Sequence, residues 1–206
     1  MTKNNDVRSM LKDAGILFAI TLIAGLILGF VYELTKEPIR VQQELAIQRA
    51  CREVFADASS FEALKYVPGE SVQADLNNIG VEIGTVFEAR DASGNPVGYV
   101  VETTTHEGYA GDITLYAGIT NEGMLNGISI LSIAETPGLG MNAETVLVPQ
   151  FENVPANMFN YTKTGSSDPN VVDAISGATI TTDAVCSAVN GAVYVVMVDF
   201  LMKGGN

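Results

Sequence analysis

Two cysteines and a single histidine leave this 206-residue chain poorly supplied for metal chemistry. Cys51 and Cys186 lack the CxxC spacing of a redox or zinc pair. Iron–sulfur clusters normally take four thiolates, more than the chain holds. His106 has no second histidine with which to share a metal, so no metal site is assigned. Each cysteine reads as a small buried hydrophobe, and a disulfide between the two outside the cytoplasm stays open. Basic residues are scarce as well. Eleven Lys/Arg face 24 Asp/Glu, a formal charge of -13. Nucleic-acid binding needs a basic footprint to meet phosphates, and nucleic acid is therefore excluded as a partner.

What the chain has is apolar residues, 47% of the total, enough for one domain with a full core plus an appendage. Charge is also unevenly spread. Residues 1–40 hold five of the basic and four of the acidic groups, which leaves six basic and twenty acidic groups in 41–206. A near-neutral stem thus precedes a body at -14, whose charge keeps it soluble.

The stem contains 19 uncharged residues, Ala14 to Tyr32. As a helix rising about 1.5 Å per residue, they approach the roughly 30 Å of bilayer hydrocarbon. Tyr32 closes the run where an interfacial aromatic belongs. The run is long for a signal peptide and ends in Tyr32-Glu33-Leu34-Thr35-Lys36, which offers no small-residue cleavage site. Lys3, Arg8 and Lys12 precede it and Lys36 and Arg40 follow, a bias towards a cytoplasmic N-terminus. The expected division is a short cytoplasmic arm (1–13), a transmembrane helix (14–35), a helical connector (36–80) and a folded domain (81–206).

Within the connector, Pro38 suits the first position of a new helix running from Glu37 to about Asp57. From Val81 the pattern changes. Residues 81–89 alternate apolar and polar, Asp91-Ala92-Ser93-Gly94-Asn95 is rich in turn formers, and 97–104 is β-branched, which predicts a hairpin. Residues 113–120 and 125–133 predict a second hairpin around Asn121-Glu122-Gly123. The fold class is α+β, a mainly antiparallel sheet with packed helices. A last helix is expected from Thr181, as N-cap, to about Met202, with Ile180 stapled onto Val185. Ser187, Asn190, Gly191 and Asp199 argue that it is a core helix rather than a second span.

Just before that helix lies Asp173-Ala174-Ile175-Ser176-Gly177-Ala178-Thr179-Ile180-Thr181. A small-residue turn opening a helix presents free backbone N–H groups and the positive end of the dipole, so it suits an anion. Ser176, Thr179 and Thr181 add hydroxyls, and Gly177 and Ala178 admit a bulky group. These features fit a phosphate site, and they also fit an ordinary capped helix start.

Asp173-x-x-Ser176-Gly177-Ala178-Thr179 resembles the flavinylation motif Asp-x-x-Ser/Thr-Gly-Ala-Thr. In that family a flavin transferase moves FMN from FAD onto the final threonine, here Thr179. Glu135-Thr136-Pro137-Gly138-Leu139-Gly140 matches a second signature of the family. Physically it is a tight turn in which Pro137 fixes one dihedral and Gly138 permits a positive φ. Such a turn could lie against a flat ring or simply sit on the surface. Gly108-Tyr109-Ala110-Gly111-Asp112-Ile113 resembles the family's Gly-Tyr-Gly-Gly-Pro-Ile, with departures at Ala110 and Asp112. The order of all these parts along the chain resembles the G subunits of Rnf ion-translocating electron transport complexes. It is also similar to the C subunits of the sodium-translocating NADH–quinone reductases, which are usually longer.

The resemblance implies an extracytoplasmic FMN-binding domain on a single-pass anchor in the cytoplasmic (inner) membrane. It implies a redox component of a ferredoxin:NAD+ oxidoreductase that moves Na+ or H+, with no complete active site or catalytic residue of its own. The cofactor would be FMN in phosphoester linkage to Thr179. Ser176, Gly177, Ala178, Asp173, Glu135, Thr136, Gly138, Leu139, Gly140 and Tyr109 would complete the cofactor site. Partners would be membrane lipid, the other Rnf membrane subunits including a second FMN-bearing one, the iron–sulfur subunits, and the transferase during maturation. The rival readings are the quinone-reductase component, a stand-alone flavin carrier, and an anchored scaffold without active flavin.

Overall fold

The computed structural model describes residues 3–202; residues 1–2 of the expected arm and 203–206 of the expected domain lie outside the described residues. The chain falls into two compact units, Met1–Ala46 and Ile47–Asn206. Helix α1 (Lys3–Val54) supplies the described part of the first unit and enters the second. Every large apolar side chain from Ile16 to Leu34 is exposed, on a helix long and apolar enough to cross a membrane. The expected break at Pro38 is absent, and Pro38 lies inside α1. Its ring removes one backbone donor. The helix continues past it, with exposed local pairs on either side: Arg40 bonds Glu37 and Glu44 at 2.9 Å each, and Lys36 meets Glu33 at 2.7 Å.

The second unit is built on a six-stranded antiparallel sheet. Its first members are β1 (Ser60–Leu64) and, after helix α2 (Glu70–Asn78), strands β2 (Val81–Arg90) and β3 (Pro96–Thr105). Strands β4 (Ile113–Thr120) and β5 (Met124–Ile133) follow, then short helix α3 (Ala143–Val146) and edge strand β6 (Val154–Pro155). Spatial order equals chain order, so the sheet is a meander. The connector expected to be helical over 36–80 therefore also contributes β1 to the sheet. Both expected hairpins are present. Asp91 closes the first by accepting the N–H groups of Ser93 (2.8 Å) and Asn95 (2.9 Å). Two further strands, β7 (Asn160–Thr162) and β8 (Val171–Asp173), form a small parallel pair leading into helix α4 (Thr179–Val195).

Alternation along the strands sorts side chains to two faces. Val86, Val101, Leu115, Ala117 and Ile119 join the core with Ala184, Val185, Ala188, Val189 and Ala192 of α4. Ala89, Val100 and Tyr116 face the other way and pack with Ala50, Cys51, Val54 and Phe55, the end of α1 and its exit. The two cysteines lie in separate clusters, both buried and free, so the disulfide left open by the sequence does not form.

Helix α4 is a core helix, as its polar residues predict, and ends in a π-helical turn, Val196–Leu201. Its start differs from expectation. Thr179 is the first helical residue and Thr181 is not the cap. Ala178 stands at the cap position and no side chain caps the helix; the Thr182 hydroxyl, within the first turn, accepts the Ile175 N–H (3.1 Å) and donates to the Ala178 carbonyl (3.0 Å). Ile180 is 53% exposed and makes no staple onto buried Val185.

Candidate functional site

Three chain segments meet at one end of the sheet. The loop after β3 brings Tyr109. The turn after β5 brings Glu135, Thr136, Leu139 and Gly140. The entry to α4 brings Gly177, Ala178, Thr179, Ile180 and Thr181. Between them is a cleft of about 470 Å³, within the usual range for small-molecule sites. The turn after β5 closes on Thr136, whose carbonyl accepts the N–H groups of Leu139 (3.1 Å) and Met141 (3.3 Å). Gly138 has the positive φ that this turn requires, +76°, and Gly177 has +79° at the bend into α4.

Thr179 is half-buried and opens the helix. The first backbone N–H groups of a helix have no carbonyl one turn back, so they and the dipole face whatever occupies the cleft beside Thr179. Leu139, Ile180 and the phenol of Tyr109 supply exposed apolar surface at the rim. The floor is polar. Glu135 is 5% exposed; its Oε1 accepts the Ala110 N–H at 3.2 Å and its Oε2 accepts the Thr181 hydroxyl at 3.2 Å. Gly140 lets the turn press onto this floor: a Cβ there would stand 2.6 Å from Thr181 Oγ1 and 2.7 Å from Glu135 Cβ.

The loop bearing Tyr109 is held at its ends. His106 Nδ1 lies 2.9 Å from Asp112 Oδ1, and its Nε2 lies 3.7 Å from Glu82. The Asp112 hydrogen bond is the main reason that the imidazole pKa is raised above its ordinary value.

Residues 108–194 match the family of the FMN-binding domain, and residues 1–54 match the RnfG N-terminal region. A relative from Acetobacterium woodii, named as the G subunit of a Na+-translocating ferredoxin:NAD+ oxidoreductase complex, is 34% identical over 92% of this chain and 93% of its own. One from Methanosarcina acetivorans, named as the G subunit of an ion-translocating oxidoreductase complex, is 33% identical over 92% and 95%. A third, from Clostridium ljungdahlii, is named as the G subunit of a proton-translocating ferredoxin:NAD+ oxidoreductase complex and is 32% identical over 88% and 92%. The chain belongs to the RnfG family.

The cleft lies wholly within the FMN-binding domain match. Its contents suit FMN: a helix start for the phosphate, a threonine hydroxyl there, apolar edges for a flat ring, and glycines where a side chain would intrude. The two departures from the Gly-Tyr-Gly-Gly-Pro-Ile pattern acquire local explanations. Ala110 uses only its backbone N–H, towards Glu135, and Asp112 is the partner of His106.

The structure brings Tyr109, Glu135, Thr136, Leu139, Gly140, Gly177, Ala178 and Thr179 together in the cleft wall. It places Gly138, Asp173 and Ser176 outside that wall. Asp173 sits exposed at the end of β8, with its backbone gripped by Gln150. Gln150 Oε1 accepts the Asp173 N–H at 2.7 Å, and Nε2 donates to the Asp173 carbonyl at 3.1 Å. Sequence reasoning missed Gln150, which carries no local signal. It also read Ile180 and Thr181 as staple and cap, where the structure shows cleft wall. A helix start two residues earlier was the missing clue.

Proposed function

We propose that this chain carries one FMN in the cleft, joined through its phosphate to Thr179, and relays electrons at the outer face of the cytoplasmic membrane as part of an Rnf complex. The observation that carries the reading is the position of Thr179. It is both the last residue of the flavinylation motif and the first residue of a helix whose N-terminus opens into a cleft of FMN-compatible size.

During maturation the Thr179 hydroxyl oxygen attacks the flavin-side phosphorus of FAD on the transferase. A phosphoester bond forms, the pyrophosphate bond breaks, AMP leaves, and the hydroxyl proton passes to a base of the transferase. The anchor then holds the cofactor at high local concentration on a side of the membrane that has no cytoplasmic flavin pool. Bound FMN supplies the electron chemistry. The chain's own residues would orient it: the start of α4 would hold the phosphate, and Leu139, Ile180 and Tyr109 would supply the apolar surface for the ring. Asp173, the exposed first residue of the motif, serves transferase recognition.

Residues 14–35 of α1 anchor the chain in lipid with the acidic body outside, which suits the excess of basic residues before the span. Partners are the membrane protein bearing a second FMN and the proteins with iron–sulfur clusters, in a complex that couples ferredoxin:NAD+ electron transfer to ion movement. The test is Thr179→Ala in the native host. The variant should lose all flavin fluorescence from its band in a denaturing gel while remaining folded in the membrane. Covalent flavin that persists in the variant would place the anchor on another residue.

A further inference from the structure

The least expected group in the cleft is Glu135. A carboxylate only 5% exposed is rare unless something requires it. Both of its oxygens are already engaged, one by the Ala110 N–H on the β3–β4 loop and the other by the Thr181 hydroxyl on α4. These contacts join the two walls of the cleft through its floor. Two glycines make room for the carboxylate. A Cβ at Gly108 would stand 2.9 Å from Glu135 Oε1 and would also collide with the Gly111 carbonyl, and one at Gly140 would stand 2.9 Å from Oε2. Among the described residues, no basic side chain lines this cleft to balance the charge.

We propose that Glu135, held between loop 106–112 and α4, lowers the reduction potential of the cofactor in this cleft by fixing one negative charge in the floor. The inference rests on the flavin reading above and extends it to a residue that the ligand need not touch. Uptake of electrons by a bound cofactor adds negative charge to the site. A fixed carboxylate nearby, in surroundings less polarisable than water, opposes that addition and lowers the potential. Glu135 is thus a positioning and field-setting residue rather than a catalytic one.

Glu135→Gln separates charge from geometry. Glutamine can accept from Ala110 through its oxygen and donate to Thr181 Oγ1 through its nitrogen, so both ties survive while the charge is lost. Glu135→Asp keeps the charge and shortens the reach. Full-length wild type, E135Q and E135D, each produced with the flavin transferase, are titrated spectroelectrochemically in detergent, and the Thr179 peptide of each is weighed. Potentials are read on the flavin-loaded fraction of each, and the expected result is an upward shift of the midpoint potential in E135Q and little shift in E135D. Equal potentials for wild type and E135Q overturn the proposal, as does an equal rise in both variants, which would mark a packing effect. Amide exchange of Ala110 in the wild-type chain tests the tie without any variant: slow exchange is expected, and exchange at the unfolded rate overturns it. A wild-type chain without flavin is a different result and strikes the flavin reading instead.

Discussion

His106 shows how one residue can steady a wall of the site without entering it. Its imidazolium is favoured by the Asp112 hydrogen bond and, less, by Glu82, which raises its pKa. The ordinary unfolded value is about 6.5. The stability this pairing lends the loop is therefore fully present below about pH 6.5 and is lost as pH rises through the higher folded value. The site is exposed, so the gain is small. Because the chain has one histidine, a single imidazole signal reports it. A proton NMR titration should place its midpoint above about 6.5 in the wild type and lower in Asp112→Asn. Identical midpoints in the two proteins would show that Asp112 does not govern the group. At this scale the motif residues were legible and their division of labour was not. Thr179 and Gly177 both lie in the cleft wall. Nothing in Glu-Thr-Pro-Gly-Leu-Gly announces that its glutamate bonds inward to a loop 25 positions earlier.

Among elements, α4 carries both part of the core and one wall of the cleft. Asn190, buried within it, accepts the Phe159 N–H at 2.7 Å and donates to the Phe159 carbonyl at 2.9 Å. These two bonds fasten the segment just before β7 to the helix. Asn190→Ala leaves both backbone groups buried without partners, at a cost of about 1–3 kcal/mol each at most. The urea midpoint should fall with an unchanged slope. An unaltered midpoint would mean that water or a local shift satisfies Phe159. The polar residue that argued against a second membrane span thus has a structural task.

Strands β2 to β5 were legible because each runs eight to ten residues near turn formers, with alternation in β2 and a β-branched run in β3. Strands β1, β6, β7 and β8 were not: they have two to five residues, too few to show a period. Pro38 was misread because its helix-starting preference is local, whereas the i,i+3 and i,i+4 ion pairs around it support helix on both sides.

At the scale of the whole molecule, the chain separates into an apolar helical unit and an acidic body with its own core. The body begins at Ile47 and includes the last turns of α1, which pack with the sheet. Removing residues 1–46 should leave a protein that is soluble without detergent and keeps the circular dichroism of a mixed helix–sheet fold. The full chain should leave membranes only with detergent. An insoluble or unfolded truncated chain would show that the first unit contributes to the fold of the second. The relatives named for sodium and for protons are 34% and 32% identical to this chain, so overall similarity does not sort the coupling ion.

The proposed redox role rests on the side chain at the mouth of α4, and the mass of the Thr179-containing peptide from native membranes tests it most directly. The expected peptide is heavier by one FMN less one water, with fragmentation assigning the addition to Thr179. An unmodified peptide from membranes whose Rnf complex is intact and active would contradict the covalent flavin and the electron relay built on it.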